Sequence, residues 1–313
     1  MKKTLSTLLL VSTSLLVACN NNDNQGEQEE TNDDNATVSI EDARGESVSL
    51  PEDPERLAVF DNGQLDILQD LGLSDRVVVT STENFPEHLE EFGELPVAGT
   101  LHEVDYEITN FNEPDMGIVA GRSRDSYDGL SEFLPTIDLS NNDNELWPTI
   151  QRNLDIYSQF FDVEEEAEQI ENNLTNQLEE LQQSTEESDL STLFIMTNEG
   201  SLSAYGTQSR FGFIHDLFGF EPVDEGIESS RHGMDISYEY ILEQDPDVIF
   251  VMDRSAAISG EDSGEFAENS LIQQTTAYET DQIIYLSPDV WYLSEGGTQA
   301  FSTMMEEVNT VFE

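Results

Sequence analysis

Short apolar runs alternate with segments of helical character along most of the chain. The runs are residues 57–60, 77–79, 116–120, 193–196, 248–252 and 283–286. Each is short and apolar on both faces, which is typical of a strand buried in a parallel sheet. The segments 65–71 and 211–217 lie between such runs and have the apolar spacing of helices. This alternation predicts α/β lobes.

A long segment of helical spacing separates the two groups of strands. Apolar residues recur every three or four positions from about residue 147 to residue 187, and no glycine or proline occurs between 149 and 188. One long connecting helix is the simplest prediction; a coiled coil is the alternative, but the apolar seam is too short to favour it. We therefore expect an N-terminal α/β lobe at 38–147, a connecting helix at 148–188 and a C-terminal α/β lobe at 189–313.

The first residues have the pattern of an export signal. Lys2 and Lys3 precede an apolar stretch, residues 8–16, that is shorter than a membrane span. The sequence Leu-Val-Ala-Cys that follows, ending at Cys19, is similar to a bacterial lipobox. We predict a lipoprotein signal peptide at residues 1–18 and lipid modification of Cys19, with an ordinary signal peptide as the alternative. Because Cys19 is the single cysteine, no intramolecular disulfide is possible.

The charge of the chain is strongly negative. There are 67 acidic residues, and removal of the two signal-peptide lysines leaves nine arginines and takes the formal net charge from −56 to −58. A carboxylate-rich surface without lysine resembles adaptation to high salt, which screens self-repulsion. The charge argues against nucleic acid as a partner, because phosphate binding needs a basic surface. Residues 19–37 are polar and cannot bury apolar surface, so we expect a disordered tether.

The motif Tyr-Glu-x6-Pro-Asp-x6-Arg occurs twice, once in each predicted lobe. One copy runs from Tyr106 to Arg122 and the other from Tyr238 to Arg254. In each copy a short predicted helix precedes the proline, which forces the residue before it out of the α region, and an apolar strand follows. Open α/β sheets bind ligands just past the C-terminal ends of their strands. Each lobe is therefore expected to direct an arginine toward a shared crevice.

Four further segments have the character of one protein family. They are residues 59–63, 203–206, 209–215 and 288–293, with the sequences VFDNG, SAYG, SRFGFIH and PDVWYL. Together with the lipobox and the Pro-Asp repeat, they resemble the class III periplasmic binding proteins of iron importers. Within that class the chain looks like the catecholate-siderophore receptors, among them petrobactin-binding lipoproteins. The resemblance covers about residues 38–313.

The resemblance implies both the architecture and the activity of the chain. It implies two Rossmann-like lobes joined by one long helix, with the ligand cleft between the lobes. The implied protein is a lipid-anchored monomer on the extracytoplasmic face of the cell membrane, in a Gram-positive cell from a high-salt habitat. It would bind a ferric siderophore and deliver it to an ABC importer. No enzymatic activity and no intrinsic cofactor are implied.

The resemblance also implies the residues of the site. Arg122, Arg210 and Arg254 match three arginines that face an anionic ferric complex, for which planar, permanently charged guanidinium groups are suited. Arg124 competes with Arg122 for this role, and pairing of each arginine with a surface acid is the alternative. His232 and Tyr292 match the histidine and tyrosine that complete the coordination of Fe(III), with core packing as the alternative for each.

Two acidic residues of the repeat are candidates for contact with the importer. Glu107 and Glu239 match the surface glutamates, one in each lobe, that dock onto arginines of the permease; two ordinary surface acids are the alternative. Of the remaining histidines, we expect His215 to be a core or capping residue, and we assign no role to His88 and His102.

Three alternatives to a catecholate-siderophore receptor are considered: another ligand, a surface protein without transport, and an enzyme. Within the binding class, the ligand could instead be haem, cobalamin or a hydroxamate siderophore, although three arginines favour an anionic ligand. A surface lipoprotein without a transport role is a third class. An enzyme is disfavoured because the sequence has no nucleophile elbow, phosphate-binding glycine loop, His-Glu-x-x-His or Cys-x-x-Cys motif.

Overall fold

The apolar runs of the sequence form the strands of two β-sheets and a hairpin. The computed structural model describes residues 36–81, 85–141, 145–260 and 266–312. Its strands are β1 (Thr37–Glu41), β2 (Ser47–Pro51), β3 (Leu57–Val59), β4 (Val77–Thr80), β5 (Met116–Val119), β6 (Thr136–Asp138), β7 (Ser191–Asn198), β8 (Ser201–Tyr205), β9 (Glu221–Pro222), β10 (Met234–Ile236), β11 (Val248–Asp253) and β12 (Ile283–Tyr285).

The helices cover and connect these strands. The α-helices are α1 (Asn62–Asp70), α2 (Tyr106–Phe111), α3 (Tyr127–Ser131), α4 (Leu146–Phe160), α5 (Glu164–Glu186), α6 (Phe213–Asp216), α7 (Tyr238–Gln244), α8 (Arg254–Ser259), α9 (Thr276–Glu279), α10 (Pro288–Leu293) and α11 (Thr298–Asn309). Short 3₁₀ helices lie at Ser74–Arg76, Glu87–Glu94, Arg124–Ser126, Phe266–Glu268, Ile272–Gln274 and Thr310–Phe312.

Each half of the chain builds its own sheet. In the N-terminal half the strand order is β4-β3-β5-β6, with every neighbouring pair parallel. In the C-terminal half the order is β10-β8-β7-β11-β12, with β9 paired to β7. Strands β7, β11 and β12 are parallel, and β8 and β10 add antiparallel strands. Residues 248–252 of β11 are all buried, as expected for the central strand of a sheet covered on both faces.

The connecting segment is two helices, so the prediction of one continuous helix over 148–188 is wrong. Helix α4 ends at Phe160, and α5 begins at Glu164. Between them Phe161 has extended backbone dihedrals, and its side chain is buried beside Tyr157. Three consecutive glutamates, residues 164–166, form the first turn of α5, where negative charge favours the positive end of the helix dipole. Burial of Phe161 and a new helix N-terminus therefore divide the segment without glycine or proline.

The Pro-Asp repeat has the same local structure in both halves. Helices α2 and α7 are each followed by a residue in the left-handed conformation directly before the proline, Glu113 with φ 47° and Asp245 with φ 46°. The aspartate after the proline then accepts a hydrogen bond from the backbone at the start of the adjacent strand. Asp115 accepts from the amide of Arg56 at 2.9 Å, and Asp247 accepts from that of Ser191 at 2.9 Å. The repeat thus fixes where the strand carrying each arginine begins.

One hydrophobic core includes residues from both halves. Trp147 at the start of α4 stacks on Phe301 of α11 with ring centroids 5.4 Å apart. Phe213 stacks on Trp291 at 5.6 Å, and Trp291 is fully buried. The described residues belong to a single compact unit. Stacked aromatic pairs of this kind bury large apolar areas and hold the loops of the site in place.

The N-terminal predictions fall largely outside the described residues. The signal peptide 1–18, Cys19 and all but the last two residues of the proposed tether 19–37 lie there. Thr37 at the end of that tether is instead the first residue of β1, where it pairs with Pro51. Over the described part of the chain, no helix combines the length and apolarity needed to span a membrane.

Candidate functional site

Three arginines that are distant in sequence converge on the side chain and backbone of Tyr292. The guanidinium carbons of Arg122, Arg210 and Arg254 lie 4.8, 4.6 and 5.5 Å from the centroid of the Tyr292 ring. We call these three residues the arginine cluster. Such distances allow each cation to interact with the ring face, and the three charges share one small region of the molecule.

The repeat positions two members of the arginine cluster. Arg122 follows β5 through a turn in which Gly121 has φ +50°, a value that favours glycine. Arg254 directly follows β11 and begins α8, whose N-terminus is capped by the Asp253 carboxylate. Both arginines therefore lie at the C-terminal ends of parallel strands, where α/β proteins bind ligands.

Tyr292 is held by hydrogen bonds at both ends. Its hydroxyl accepts from Arg254 Nε at 2.8 Å, and its backbone carbonyl accepts from Arg122 at 2.6 Å and from Arg210 at 3.3 Å. Partial burial raises the pKa of the Tyr292 phenol, but the Arg254 hydrogen bond and the charges of the arginine cluster together outweigh burial, so its pKa lies below its usual value. The surroundings of Tyr292 therefore favour the ionised phenol more than water does.

Arg210 is paired with an acid that the sequence analysis did not single out. Arg210 Nε donates to Glu295 Oε2 at 2.9 Å, and both side chains are 20% exposed. The guanidinium also lies 4.8 Å from the ring centroid of Phe211. Arg254 is engaged differently, because its Nη1 donates to Asn198 at 2.9 Å. Glu295 and Asn198 are thus functional candidates that sequence patterns gave no reason to choose.

A cavity of about 270 Å³ lies beside the arginine cluster. Arg122, Arg210 and Glu295 line it, together with Asp61, the residue that caps α1. Burial raises the pKa of Asp61 to about 6, although Arg122 and the amides of Gln64 and Gly63 act in the opposite direction. The cavity therefore has both cationic and anionic walls.

Arg124 and Arg122 have different surroundings. Both line the cavity, but Arg122 contacts Tyr292, whereas the Arg124 side chain is 43% exposed and lies 3.8 Å from the Asp138 carboxylate. The arrangement favours Arg122 as the member of the arginine cluster. Arg231, the neighbour of His232, also lines the cavity and was not predicted.

His232 directly follows Arg231, which lines the cavity. It is exposed in a turn before Gly233, which has φ +75°, and its amide donates to Ser230 Oγ at 3.2 Å. Within the described ranges no hydrogen bond joins its imidazole to Tyr292 or to the arginines, and no group of three or more His, Cys, Asp or Glu residues could hold a metal ion.

The other predicted residues have simpler environments. His215 is buried and its two ring nitrogens lie 2.9 and 3.3 Å from the carbonyls of Phe220 and Tyr205, which confirms the expected core or capping role. Burial lowers its pKa. His88 contacts the buried Asp66 at 2.9 Å. Glu107 and Glu239 are exposed in the first turns of α2 and α7.

Comparison with known proteins gives consistent matches along the chain. Residues 57–290 match the family described as periplasmic binding protein. The chain is 34% identical over 309 residues to the petrobactin-binding protein YclQ of Bacillus subtilis, covering 97% of this chain and 96% of that protein. It is 26% identical to the ferric-anguibactin-binding protein FatB of Vibrio anguillarum, covering 87% and 86%.

Two solved structures of siderophore-binding proteins also match this chain. The crystal structure of YclQ superimposes with a TM-score of 0.85 at 32% identity, covering 89% of this chain and 99% of that one. The periplasmic catecholate-siderophore binding protein VctP of Vibrio cholerae superimposes with a TM-score of 0.81 at 28% identity, covering 88% and 100%.

Proposed function

The chain belongs to the periplasmic binding protein family, and we propose that it captures a ferric catecholate siderophore outside the cytoplasm and delivers it to an ABC importer. The observation that carries this proposal is the convergence of the arginine cluster on Tyr292 in a chain with nine arginines against 67 acids. One third of the arginines serve one site, although the surrounding surface is strongly negative. Such a concentration is suited to an anionic ligand.

Tyr292 supports iron in the ligand. Fe(III) is a hard ion that favours anionic oxygen, and the surroundings of Tyr292 lower its pKa and so favour the phenolate form. A phenolate could complete the coordination of iron in a complex whose siderophore leaves positions open. We propose His232 as the second protein ligand, since it is exposed and directly follows Arg231, which lines the cavity.

The delivery step rests on the family and on two exposed residues. Glu107 and Glu239 begin equivalent helices of the repeat and present one carboxylate each to solvent. We propose that they contact the permease. The lipid anchor at Cys19, a monomeric state, a Gram-positive cell and a high-salt habitat belong to the same proposal. The two-lobe division at 38–147 and 189–313 is supported by the separate sheet in each half.

Binding of ferric complexes by the mature chain tests the proposal. Trp291 precedes Tyr292 and is fully buried, so quenching of its fluorescence should report a coloured ferric complex in the cleft. The panel contains a bis-catecholate, a tris-catecholate and a tris-hydroxamate complex of Fe(III), with haem as a further probe. We expect the catecholates to bind. If only haem or the hydroxamate complex binds tightly, the ligand is not a catecholate and the proposed ligand class is wrong. If none of the complexes binds, the proposed function is wrong.

An arginine variant sharpens this test. Arg254→Gln should weaken the catecholate complexes by roughly 10- to 100-fold, because it removes a charge and a donor from the site. Arg76→Gln is the matched control, since Arg76 pairs with Asp53 at 3.0 Å and has no contact with Tyr292 among the described residues. Equal effects of the two variants would contradict a site at the arginine cluster.

A further inference from the structure

The ion pair between Arg210 and Glu295 places an anion of the protein where an anionic ligand would bind. The Glu295 carboxylate accepts from Arg210 Nε at 2.9 Å, while the same guanidinium reaches Tyr292. Both lie at the wall of the cavity. A ligand oxygen that approaches Arg210 must therefore share the guanidinium with Glu295 or displace it. If the carboxylate stays nearby, it repels the ligand in proportion to the ligand's negative charge.

The backbone of Glu295 packs closely against the other half of the chain. A side chain at Gly63 would place its Cβ 2.9 Å from the Glu295 carbonyl oxygen, so the segment around Glu295 packs closely on the start of α1. The loop between α10 and α11 thus holds Glu295 beside Arg210 through contacts with the other half of the chain.

A count of charges at the site shows what this contact does. The arginine cluster supplies three positive charges, and Glu295 and Asp61 supply two negative ones when both are ionised. The excess is a single positive charge while the Tyr292 phenol is neutral, and no positive excess is left once Tyr292 is a phenolate. Arg124 and Arg231 also line the cavity, but both are exposed, so solvent and salt screen them more strongly.

We propose that Glu295 is a specificity-determining residue that, by pairing with Arg210, biases the cleft toward ferric complexes of low negative charge. This inference rests on the proposed function and narrows its ligand class. The favoured ligand is a monoanionic Fe(III) complex of a tetradentate bis-catecholate, which leaves coordination positions for Tyr292. A trianionic tris-catecholate complex balances the site less well and gains nothing from the phenolate, since its iron is already saturated.

The test compares two complexes on three forms of the mature chain. The wild type, Glu295→Gln and Glu306→Gln are titrated with the monoanionic bis-catecholate and the trianionic tris-catecholate complexes of Fe(III). Glu306 is exposed on α11, so its variant changes the net charge equally without touching the site. Glu295→Gln should tighten the trianionic complex by roughly tenfold and the monoanionic one by less. Glu306→Gln should leave the ratio of the two affinities unchanged.

A second background shows whether the effect passes through Arg210. In chains that already contain Arg210→Gln, the Glu295 carboxylate has no guanidinium partner, so the additional Glu295→Gln change should alter the ratio by a factor clearly different from its factor in the wild type. Equal factors in the two backgrounds would show that Glu295 acts by its charge alone and not through Arg210. If the wild type binds but Glu295→Gln shifts the ratio no more than Glu306→Gln does, the inference is wrong and the proposed function stands. If no form binds either complex, the proposed function fails and the inference fails with it.

Discussion

Arg254 donates a hydrogen bond from Nε to the hydroxyl of Tyr292 at 2.8 Å, and so joins the end of β11 to helix α10. The bond stabilises the ionised phenol, because a donor with a positive charge favours the anionic form. This one contact therefore joins a member of the arginine cluster to the tyrosine that we propose as an iron ligand.

The phenol of Tyr292 should ionise at a lower pH than an ordinary tyrosine. In an alkaline titration followed by ultraviolet absorbance, the folded chain should show a phenol with a pKa below the usual 10.0 that Tyr292→Phe removes. Arg254→Gln should move this step to higher pH, since it removes the hydrogen bond and one charge. Tyr205→Phe is the control, because burial raises the pKa of Tyr205 to about 12. If Tyr292→Phe still shows a phenol that ionises below the usual pKa, the lowered pKa does not belong to Tyr292.

Iron coordination by Tyr292 should be visible in the spectrum of the complex. With the ferric bis-catecholate bound, Tyr292→Phe should shift the visible charge-transfer band and weaken binding, because a phenolate ligand is lost. His232→Ala should shift the same band if the turn closes on the iron. The tris-catecholate complex is the control, since its iron has no open position. Unaltered bis-catecholate spectra in both variants would exclude direct coordination by the protein.

The fold class follows from the sequence, and the family comparison confirms it. Buried strands of a parallel sheet must be apolar on both faces, so β3, β5 and β11 are evident as short apolar runs. The break between α4 and α5 was missed because no glycine or proline marks it. It depends on the burial of Phe161, which is a tertiary contact. Three consecutive glutamates after the break were the available local signal.

The site was only partly predictable for a similar reason. Arg122 and Arg254 are recognisable because the repeat fixes their positions after equivalent strands. Glu295 is one of 67 acids, and its contact with Arg210 depends on the packing of its loop against Gly63, far away in sequence. Local patterns hold no information about such a pairing. Asp61 lay within a recognised segment, but its raised pKa depends on its burial in the folded chain.

Protonation of Asp61 should strengthen anion binding as the pH falls from 7 to 5. The carboxyl, with a pKa of about 6, faces Arg122 and Glu295, and its neutral form leaves more positive charge for the ligand. Asp61→Asn should flatten this dependence while still capping α1. The pH effect on the ferric complex itself is common to both proteins, so the ratio of their affinities isolates Asp61. Equal pH dependence in the two would contradict the prediction.

The same group should affect stability with a defined sign. Because the folded-state pKa of this acid is raised above its ordinary 3.8, ionisation of Asp61 disfavours the folded state. That cost is absent below the ordinary value and complete above about pH 6. The melting temperature of Asp61→Asn should therefore be higher than that of the wild type at pH 7, and the two melting temperatures should be similar at pH 4. A lower melting temperature at pH 7 would argue against a net cost of burial.

Asp66 should be essential for joining α1 to α11. Its buried carboxylate accepts from the amides of Gln299 and Ala300 at 2.8 and 3.0 Å and contacts His88 at 2.9 Å. Asp66→Ala leaves these donors without a partner, which should lower the free energy of unfolding by about 3–5 kcal/mol in a denaturant titration. The exposed Asp75 provides the control, because Asp75→Ala removes an equal charge. A loss below about 1 kcal/mol would show that the hydrogen bonds from the first turn of α11 to Asp66 contribute little to stability.

Glu107 and Glu239 should affect delivery without affecting capture. Both are exposed in the first turn of a short helix, and neither contacts the arginine cluster among the described residues. Charge reversal to arginine at both positions should abolish most uptake of the iron-labelled complex by cells that express the variant as their sole copy, because it repels the basic permease surface we propose. The affinity of the purified variant for the complex should remain within about twofold of the wild type.

Glu243→Arg is the matched control, because Glu243 is exposed on the same helix α7 as Glu239, and it should leave uptake nearly normal. Normal uptake by the double variant would remove these glutamates from the permease contact, whereas weakened capture would mean that they act on the ligand site instead.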